Sequence, residues 1–314
     1  MSYKIGIVGA ARRHQGTGPY IAQIFNQLGH NVAGIVGSSR ESAEKTSADL
    51  KQQYNITAQA YTCLETLLSK HDIDALVISS PPATHLGYLE EALSKKLHVF
   101  CEKPLWWPDS ARDIPETMEY LAKIQRCLDM AEQNQCIIHL NTQWPYTLAD
   151  FYQLYPDLDT AEITHFSMNL CPQSDGVSML VDAASHGLSM LYQLVGQGDL
   201  TDIVFTDISS EHVNASFKYK HQAGLIRVTL GFTSSQAIPK PASYKINDCQ
   251  VDRIVSLPEY QIKLQSHERS VTVRDPLLVS IEDFIASIQA GLHTDIMPLM
   301  SGCRHLHQLI ESYR

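Results

Sequence analysis

The chain has 314 residues, 44% of them hydrophobic and 18% charged, with a net charge of −10 and no long basic run. That length allows two domains with ordinary cores, and the charge argues against nucleic acid and anionic membranes as partners. Seven cysteines, odd in number and without a C-x-x-C pair, fit free thiols in a reducing cytoplasm and argue against structural zinc or any other metal site. The start, MSYKIGIVGAARR, reads as a strand entering a loop and not as a signal peptide. No stretch is apolar for long enough to span a bilayer.

In chain order, residues 4–8 form a β-rich run that ends at Gly9. The loop that follows is Gly9-Ala10-Ala11-Arg12-Arg13-His14-Gln15-Gly16-Thr17-Gly18-Pro19. It is longer than G-x-G-x-x-G, since Ala11 and His14 stand where the second and third glycines would be. Gly16 and Gly18 allow close backbone approach, and Pro19 suits a first helical position. Ile21, Ile24, Phe25 and Leu28 give the helix one apolar face. A strand, a glycine-rich loop and a helix in this order begin a dinucleotide-binding unit, with a pyrophosphate at the helix start.

A second strand is expected over 31–36. In folds that prefer NAD an acid follows this strand and holds the ribose 2′-hydroxyl. Here Gly37, Ser38, Ser39 and Arg40 follow, and the first acid is Glu41. Two hydroxyls and an arginine accommodate a 2′-phosphate, so NADP is expected in preference to NAD. Ser39 also suits the cap of the next helix. Helices are expected over 41–54 and 63–70.

The run from Asp74 to Leu105 reads strand, helix, strand and a polar exit. Residues 75–78 are apolar and β-branched, as a strand buried on both faces should be. Ser79, Ser80, Pro81 and Pro82 end it. Leu86, Leu89, Ala92 and Leu93 recur at helical spacing, and 98–101 form the next strand. Glu102-Lys103-Pro104 follows its C-terminal end, where open parallel sheets place their ligands. A long helix from about 111 to 134 and a strand over 136–140 come next. The second half opens with a strand over 161–169 and a helix through Asp182, His186 and Ser189, which share one face. Residues 202–273 alternate as strands do, for example at 215–219, 225–232 and 260–264, and predict a large, mostly antiparallel sheet. Tyr219, Ile226, Val228 and Leu230 offer apolar bulk on it. Helices over 276–290 and 300–313 close the chain. His305 and His307 lie two apart on a helix, do not face each other, and read as surface residues.

SSPPATH at 79–85 together with CEKPL at 101–105 resembles the Gfo/Idh/MocA oxidoreductase family, and the resemblance extends over nearly the whole chain. It implies an α/β chain with an N-terminal Rossmann domain, a doubly wound parallel sheet, over 1–140. A C-terminal α/β domain with a large, mostly antiparallel sheet follows over 141–297, and 298–314 form a closing helix. The stretch from Asp182 to Ser189 resembles the family's D-x-G-x-H-x-x-D, with Ala184 for the glycine and Ser189 for the last aspartate. Gln143 stands near the place of a family arginine.

By this resemblance Lys103, Asp182 and His186 are the catalytic residues. The cofactor falls to Gly9, Ala10, Ala11, Arg12, Gly16, Gly18, Ser38, Ser39, Arg40, Ser80, Pro81, His85, Glu102 and Lys103. Oxidising an alcohol sends a hydride to the nicotinamide and a proton to a base. A histidine suits the proton, a carboxylate orients the imidazole, and a lysine steadies charge on the oxygen. The expected activity is an NADP- or NAD-dependent dehydrogenase or reductase acting on a CH–OH group of a small polyol, sugar or cyclic carbonyl. The alternative is a non-catalytic dinucleotide-sensing regulator of the same fold. A small-molecule substrate, a cytoplasmic location and a homo-oligomer, dimer or tetramer, complete the expectations.

Overall fold

The computed structural model describes residues 2–11 and 16–313, so Arg12 and Arg13 lie outside the described residues. The chain divides into two compact units. The first comprises Met1–Asp109, Ala122–Asn141 and Ser280–Asp295, and the second comprises Ser110–Leu121, Thr142–Val279 and Ile296–Arg314.

The first unit alternates strands and helices: β1 (Lys4–Val8), α1 (Gly18–Gln27), β2 (Asn31–Val36), α2 (Arg40–Tyr54), β3 (Gln59–Tyr61), α3 (Leu64–Lys70), β4 (Ala75–Ile78), α4 (Pro82–Ser94), β5 (His98–Glu102), α5 (Thr117–Asn134) and β6 (Ile138–Asn141). The strands pair in parallel in the order β3-β2-β1-β4-β5-β6. Every residue of β4 and all but the first of β1 and β2 are buried, as expected when helices cover both faces. Ser39 caps α2 by accepting a hydrogen bond from Ser42 N at 3.2 Å.

Helix α5 starts at Thr117, later than residue 111. Pro115 has no N–H and disfavours helix in the residue before it, and Glu116 Oε2 takes the first-turn N–H of Glu119 at 2.8 Å. The segment Ser280–Asp295 packs into the first unit. Phe284 lies 5.6 Å from Phe100 and 6.4 Å from Phe25, ring to ring. Each fully buried ring is worth roughly 1.5–3 kcal/mol. Thr294 Oγ1 accepts from Ile138 N and donates to Cys136 O, which satisfies the backbone at the start of β6.

The second unit contains a 3-10 turn (Trp144–Thr147), α6 (Leu148–Leu154), β7 (His165–Leu170), α7 (Ser178–Val195), β8 (Gly198–Thr206), β9 (His212–His221), β10 (Gly224–Thr233), β11 (Ala242–Ile246), β12 (Cys249–Ser256), β13 (Gln261–Gln265) and β14 (Ser270–Val273). Helix α8 (Pro276–Gln289) contributes residues to both units, as does α5, and α9 (Ile296–Ser312) ends the described chain. The strands form an eight-stranded sheet in the order β14-β13-β12-β11-β7-β10-β9-β8, antiparallel except where β10 meets β7. Strand β7 begins at His165, because Asp159 accepts from Ala161 N and turns Thr160–Glu162 into a 3-10 helix.

Two expectations are corrected here. Tyr219, Ile226, Val228 and Leu230 are all buried within their own unit, so they add nothing to an outer association face. The other face of these strands shows Lys218, Lys220, Arg227 and Thr229, all exposed. His305 and His307 are not surface residues; they are 2% and 1% exposed. His305 Nε2 donates to Gly198 O at 2.9 Å and His307 Nε2 to Pro115 O at 2.8 Å. Periodicity placed them correctly on a helix but could not show that backbone carbonyls on both sides satisfy them.

Burial pulls the pKa of His305 down to about 4 from 6.5, with the Arg304 charge adding to the shift, and burial pulls His139 to about 4 as well. Below pH ~6.5 the unfolded chain takes up these protons and the folded one does not, so this part of the stability is complete above that pH. It is lost as pH falls towards the folded value. We expect the melting temperature to drop between pH ~6.5 and ~4, and His305→Gln to flatten part of that drop. Thermal melts across the range, with an equal slope for the variant as the adverse result, check this.

Candidate active site

The strand order of the first unit reverses between β1 and β4, and the carboxyl edges of these strands frame the crevice where such sheets take ligands. Gly9 ends β1 with φ +78°, and a Cβ there would lie 2.5 Å from Ser80 N. Only glycine lets the exits of β1 and β4 come this close. Ser79 Oγ bonds Val8 O and Gly9 O across the same gap, at 3.0 and 3.1 Å. Gly18 opens α1, and a Cβ on it would lie 2.8 Å from Ala10 Cα, so the helix starts hard against the strand exit.

Thr17 occupies the cap position of α1 but does not cap it. Its hydroxyl donates to Glu102 Oε1, at the end of β5, and the same oxygen accepts from Asn141 Nδ2 at 2.8 Å, at the end of β6. The first turn of α1 has no acidic residue. Its N–H groups therefore favour an anion supplied from outside the helix, which is the chemistry a pyrophosphate requires. A cavity of about 410 Å³ nearby is lined by Ala10, Ala11, Pro19, Ser39, Ser42 and Lys45, with Glu41 on its wall. These residues fit a dinucleotide. Gly16 and Ala11 are half-buried beside it, while Ser38 and Ser39 are exposed. Arg40 is exposed and its Nε pairs with Glu44 at 2.8 Å, a surface pair of little energy that a phosphate could displace.

At the exit of β4, Ser80 is half-buried and Pro81 exposed. His85 is fully buried, with Nε2 2.7 Å from Ser80 O and Nδ1 2.9 Å from Pro104 O. It presents no surface to a cofactor, and its place is to hold the β4 and β5 exits together. Burial lowers its pKa, against the opposing pull of the two carbonyls and Glu102. Lys103 is half-buried and the Lys103–Pro104 peptide bond is cis.

In the second unit, Gln143 has φ +60° and ψ −50°, and Trp144 N donates to Thr142 O at 2.7 Å. This is a γ-turn of the strained, positive-φ kind, at a cost on the order of 1–3 kcal/mol. The turn holds out the carbonyl of Thr142, which accepts from His186 Nδ1 at 2.7 Å. A carbonyl cannot donate, so Nδ1 carries the hydrogen of the neutral ring and Nε2 carries the lone pair. Four residues earlier on α7, Asp182 Oδ2 accepts from Ser174 Oγ at 3.2 Å. Ser189 Oγ bonds the backbone oxygen of His186 at 2.9 Å, within its own helix. Gly187 lets α7 press on β10: a Cβ there would lie 2.6 Å from Leu230 Cδ2.

Lys103 thus belongs to the first unit, and Asp182 and His186 to the second. Thr17, Asn141 and Thr142 were not singled out from sequence. The available signal was a polar residue at the carboxyl end of a parallel strand, which is weak until the strands are paired.

Residues 3–142 match the model of an oxidoreductase family with an NAD-binding Rossmann fold. The chain is 33% identical over 121 residues to the uncharacterized oxidoreductase YrbE of Bacillus subtilis (strain 168), a match covering 38% of this chain and 32% of that protein. The match therefore spans about a third of that relative's length. Among solved structures, UDP-N-acetylglucosamine 3-dehydrogenase GnnA from Acidithiobacillus ferrooxidans superposes with a TM-score of 0.71 at 18% identity, over 99% of this chain and 98% of that one. A mutant of KijD10, a 3-ketoreductase from Actinomadura kijaniata in complex with TDP-benzene and NADP, gives 0.68 at 15% identity, over 99% and 96%. At these identities the shared property is the fold.

Glu102 ties the first helix to two strand exits. We expect Glu102→Ala to cost about 1–3 kcal/mol by leaving its partners unsatisfied, and Glu102→Gln to cost less, since the amide oxygen still accepts. Urea denaturation of both variants measures this, and equal stability of Glu102→Ala and wild type would contradict the tie.

Proposed function

We propose that the chain, whose residues 3–142 match the model of an oxidoreductase family with an NAD-binding Rossmann fold, is a member of the Gfo/Idh/MocA family and an NADP-preferring dehydrogenase or reductase acting on a CH–OH group of a small polyol, sugar or cyclic carbonyl. The observation that carries the reading is the uncapped start of α1. Its cap residue is engaged by Glu102, no acid occupies its first turn, and it lies at the carboxyl edge of the reversed sheet. The nicotinamide cofactor, when bound, accepts or supplies the hydride. Gly9, Ala10, Ala11, Gly16 and Gly18 hold its pyrophosphate side. Ser38, Ser39 and Arg40 take the 2′-phosphate, in place of the missing acid.

His186 takes the substrate's hydroxyl proton at Nε2. The bond from Nδ1 to Thr142 O supports this role, because it fixes the tautomer with the lone pair on Nε2. Asp182, on the same face of α7, favours the imidazolium that results. Lys103 donates to the oxygen on which negative charge develops. We also propose a homo-oligomer built on the polar outer face of the eight-stranded sheet; sedimentation at micromolar concentration checks it, and a 35.1 kDa monomer opposes it.

Calorimetric titration is expected to give tighter binding of NADP(H) than NAD(H), with Arg40→Ala narrowing the gap. Equal or tighter NAD(H) binding would count against the preference. In a turnover screen over sugars, cyclitols and small ketones, His186→Ala and Lys103→Met should each lower kcat about 10²-fold or more with cofactor binding retained. Cofactor binding without turnover in the wild type would favour the dinucleotide-sensing regulator instead.

A further inference from the structure

The loop over 171–177 joins β7 to α7 inside the second unit. Other segments of the same unit hold it at Pro172, Asp175 and Gly176. Pro172 O accepts from Ser235 N at 2.8 Å, and Gly176 N donates to Ser210 O at 2.9 Å. Asp175 Oδ1 accepts from Ser234 Oγ at 2.6 Å. Ser234 and Ser235 follow β10, and Ser210 lies between β8 and β9. Pairing of β10 with β7 and with β9 brings these connections to one end of the sheet. The loop is therefore tied to two neighbours there. Gly176, at φ +54°, turns it into α7.

Ser174 stands between these ties and is half-buried. Its hydroxyl donates to Asp182 Oδ2 at 3.2 Å. Asp182 lies on α7, one turn before His186. A carboxylate on a helix can turn about two side-chain bonds, and holding it in one orientation costs entropy. Serine carries its oxygen on a single rotatable bond, so a pinned loop passes its fixed position on to the carboxylate.

We propose that Ser174 is a positioning residue for Asp182: the tethered loop fixes the carboxylate one turn from His186, ready for the charge that the imidazole gains. This rests on the function proposed above and adds a residue to that site. Ser174 takes no part in proton or hydride movement. It acts through Asp182, whose interaction with the histidine strengthens only as the proton arrives, so its effect falls on the rate and not on binding.

The test pairs a measurement that needs no substrate with one that does. The first is carbon-13 NMR of protein labelled at the aspartate carboxyl carbons, with Asp182→Asn assigning the Asp182 resonance. That resonance should shift in Ser174→Ala and return towards its wild-type position in Ser174→Thr, which keeps a hydroxyl. The second is the turnover screen over sugars, cyclitols and small ketones. Ser174→Ala should lower kcat about three- to ten-fold, the scale of one modest hydrogen bond, with KM and NADP(H) binding unchanged. Ser174→Thr should recover most of the loss. A purely structural role would instead weaken the binding of substrate and cofactor.

The inference is overturned if the Asp182 resonance ignores Ser174→Ala, if that variant keeps the wild-type kcat, or if Ser174→Thr is as slow as Ser174→Ala. Should Ser174→Ala fail to fold, Ser174→Cys, close in size and a weak donor, takes its place with the same expected losses. A wild type that turns over no compound overturns the dehydrogenase reading and this role with it. A wild type that turns over while the Asp182 resonance ignores Ser174→Ala overturns this role alone.

Discussion

One carboxylate organises the ligand edge of the parallel sheet. Glu102 Oε1 accepts from Thr17 and from Asn141, and so joins the start of α1 to the ends of β5 and β6. Without it, three separate loops would have to hold their positions by packing alone. Charge-assisted bonds of this kind contribute about 1.5–3 kcal/mol each, more than a neutral pair. The same bond removes Thr17 from capping duty. The constraint that orders the edge therefore also keeps the Thr17 hydroxyl off the first N–H groups of α1. His85 adds a second tie across this edge: its buried ring lies between the carbonyls of Ser80 and Pro104 and, when neutral, donates its one N–H to one of them. A fully buried imidazole is a positioning element, and its value lies in the two exits it connects.

The second unit secures its histidine by a different means. A non-glycine residue at φ +60° stores strain, and that strain persists because Thr142, Trp144 and α7 surround the turn. The carbonyl that results chooses the tautomer of His186. Gly187, next to it, sets how close α7 comes to Leu230. Preorganisation of this sort is what proton transfer at a fixed atom requires.

Buried histidines follow one rule in both units. His139, His305 and His307 each meet a hydroxyl or a backbone carbonyl. Asn141 Oδ1, Arg253 Nε and Gln308 Oε1 are among the buried atoms that have no hydrogen-bond partner.

By itself the sequence determined the α/β class, five of the six parallel strands and the Glu-Lys-Pro exit, because hydrophobic periodicity and proline placement are local properties of the chain; the three-residue β3 (Gln59–Tyr61) is too short to show a period. It also determined the alternating strands of the second half and the helix that carries Asp182 and His186. The tertiary structure alone decided that Ser280–Asp295 completes the first unit and that His305 and His307 are interior. It alone decided that Tyr219, Ile226, Val228 and Leu230 face inward, and that Thr17, Asn141 and Thr142 matter. The reason is common to all of these. Each depends on a carbonyl, carboxylate or ring supplied from a distant part of the chain, and residue spacing carries no record of such a partner.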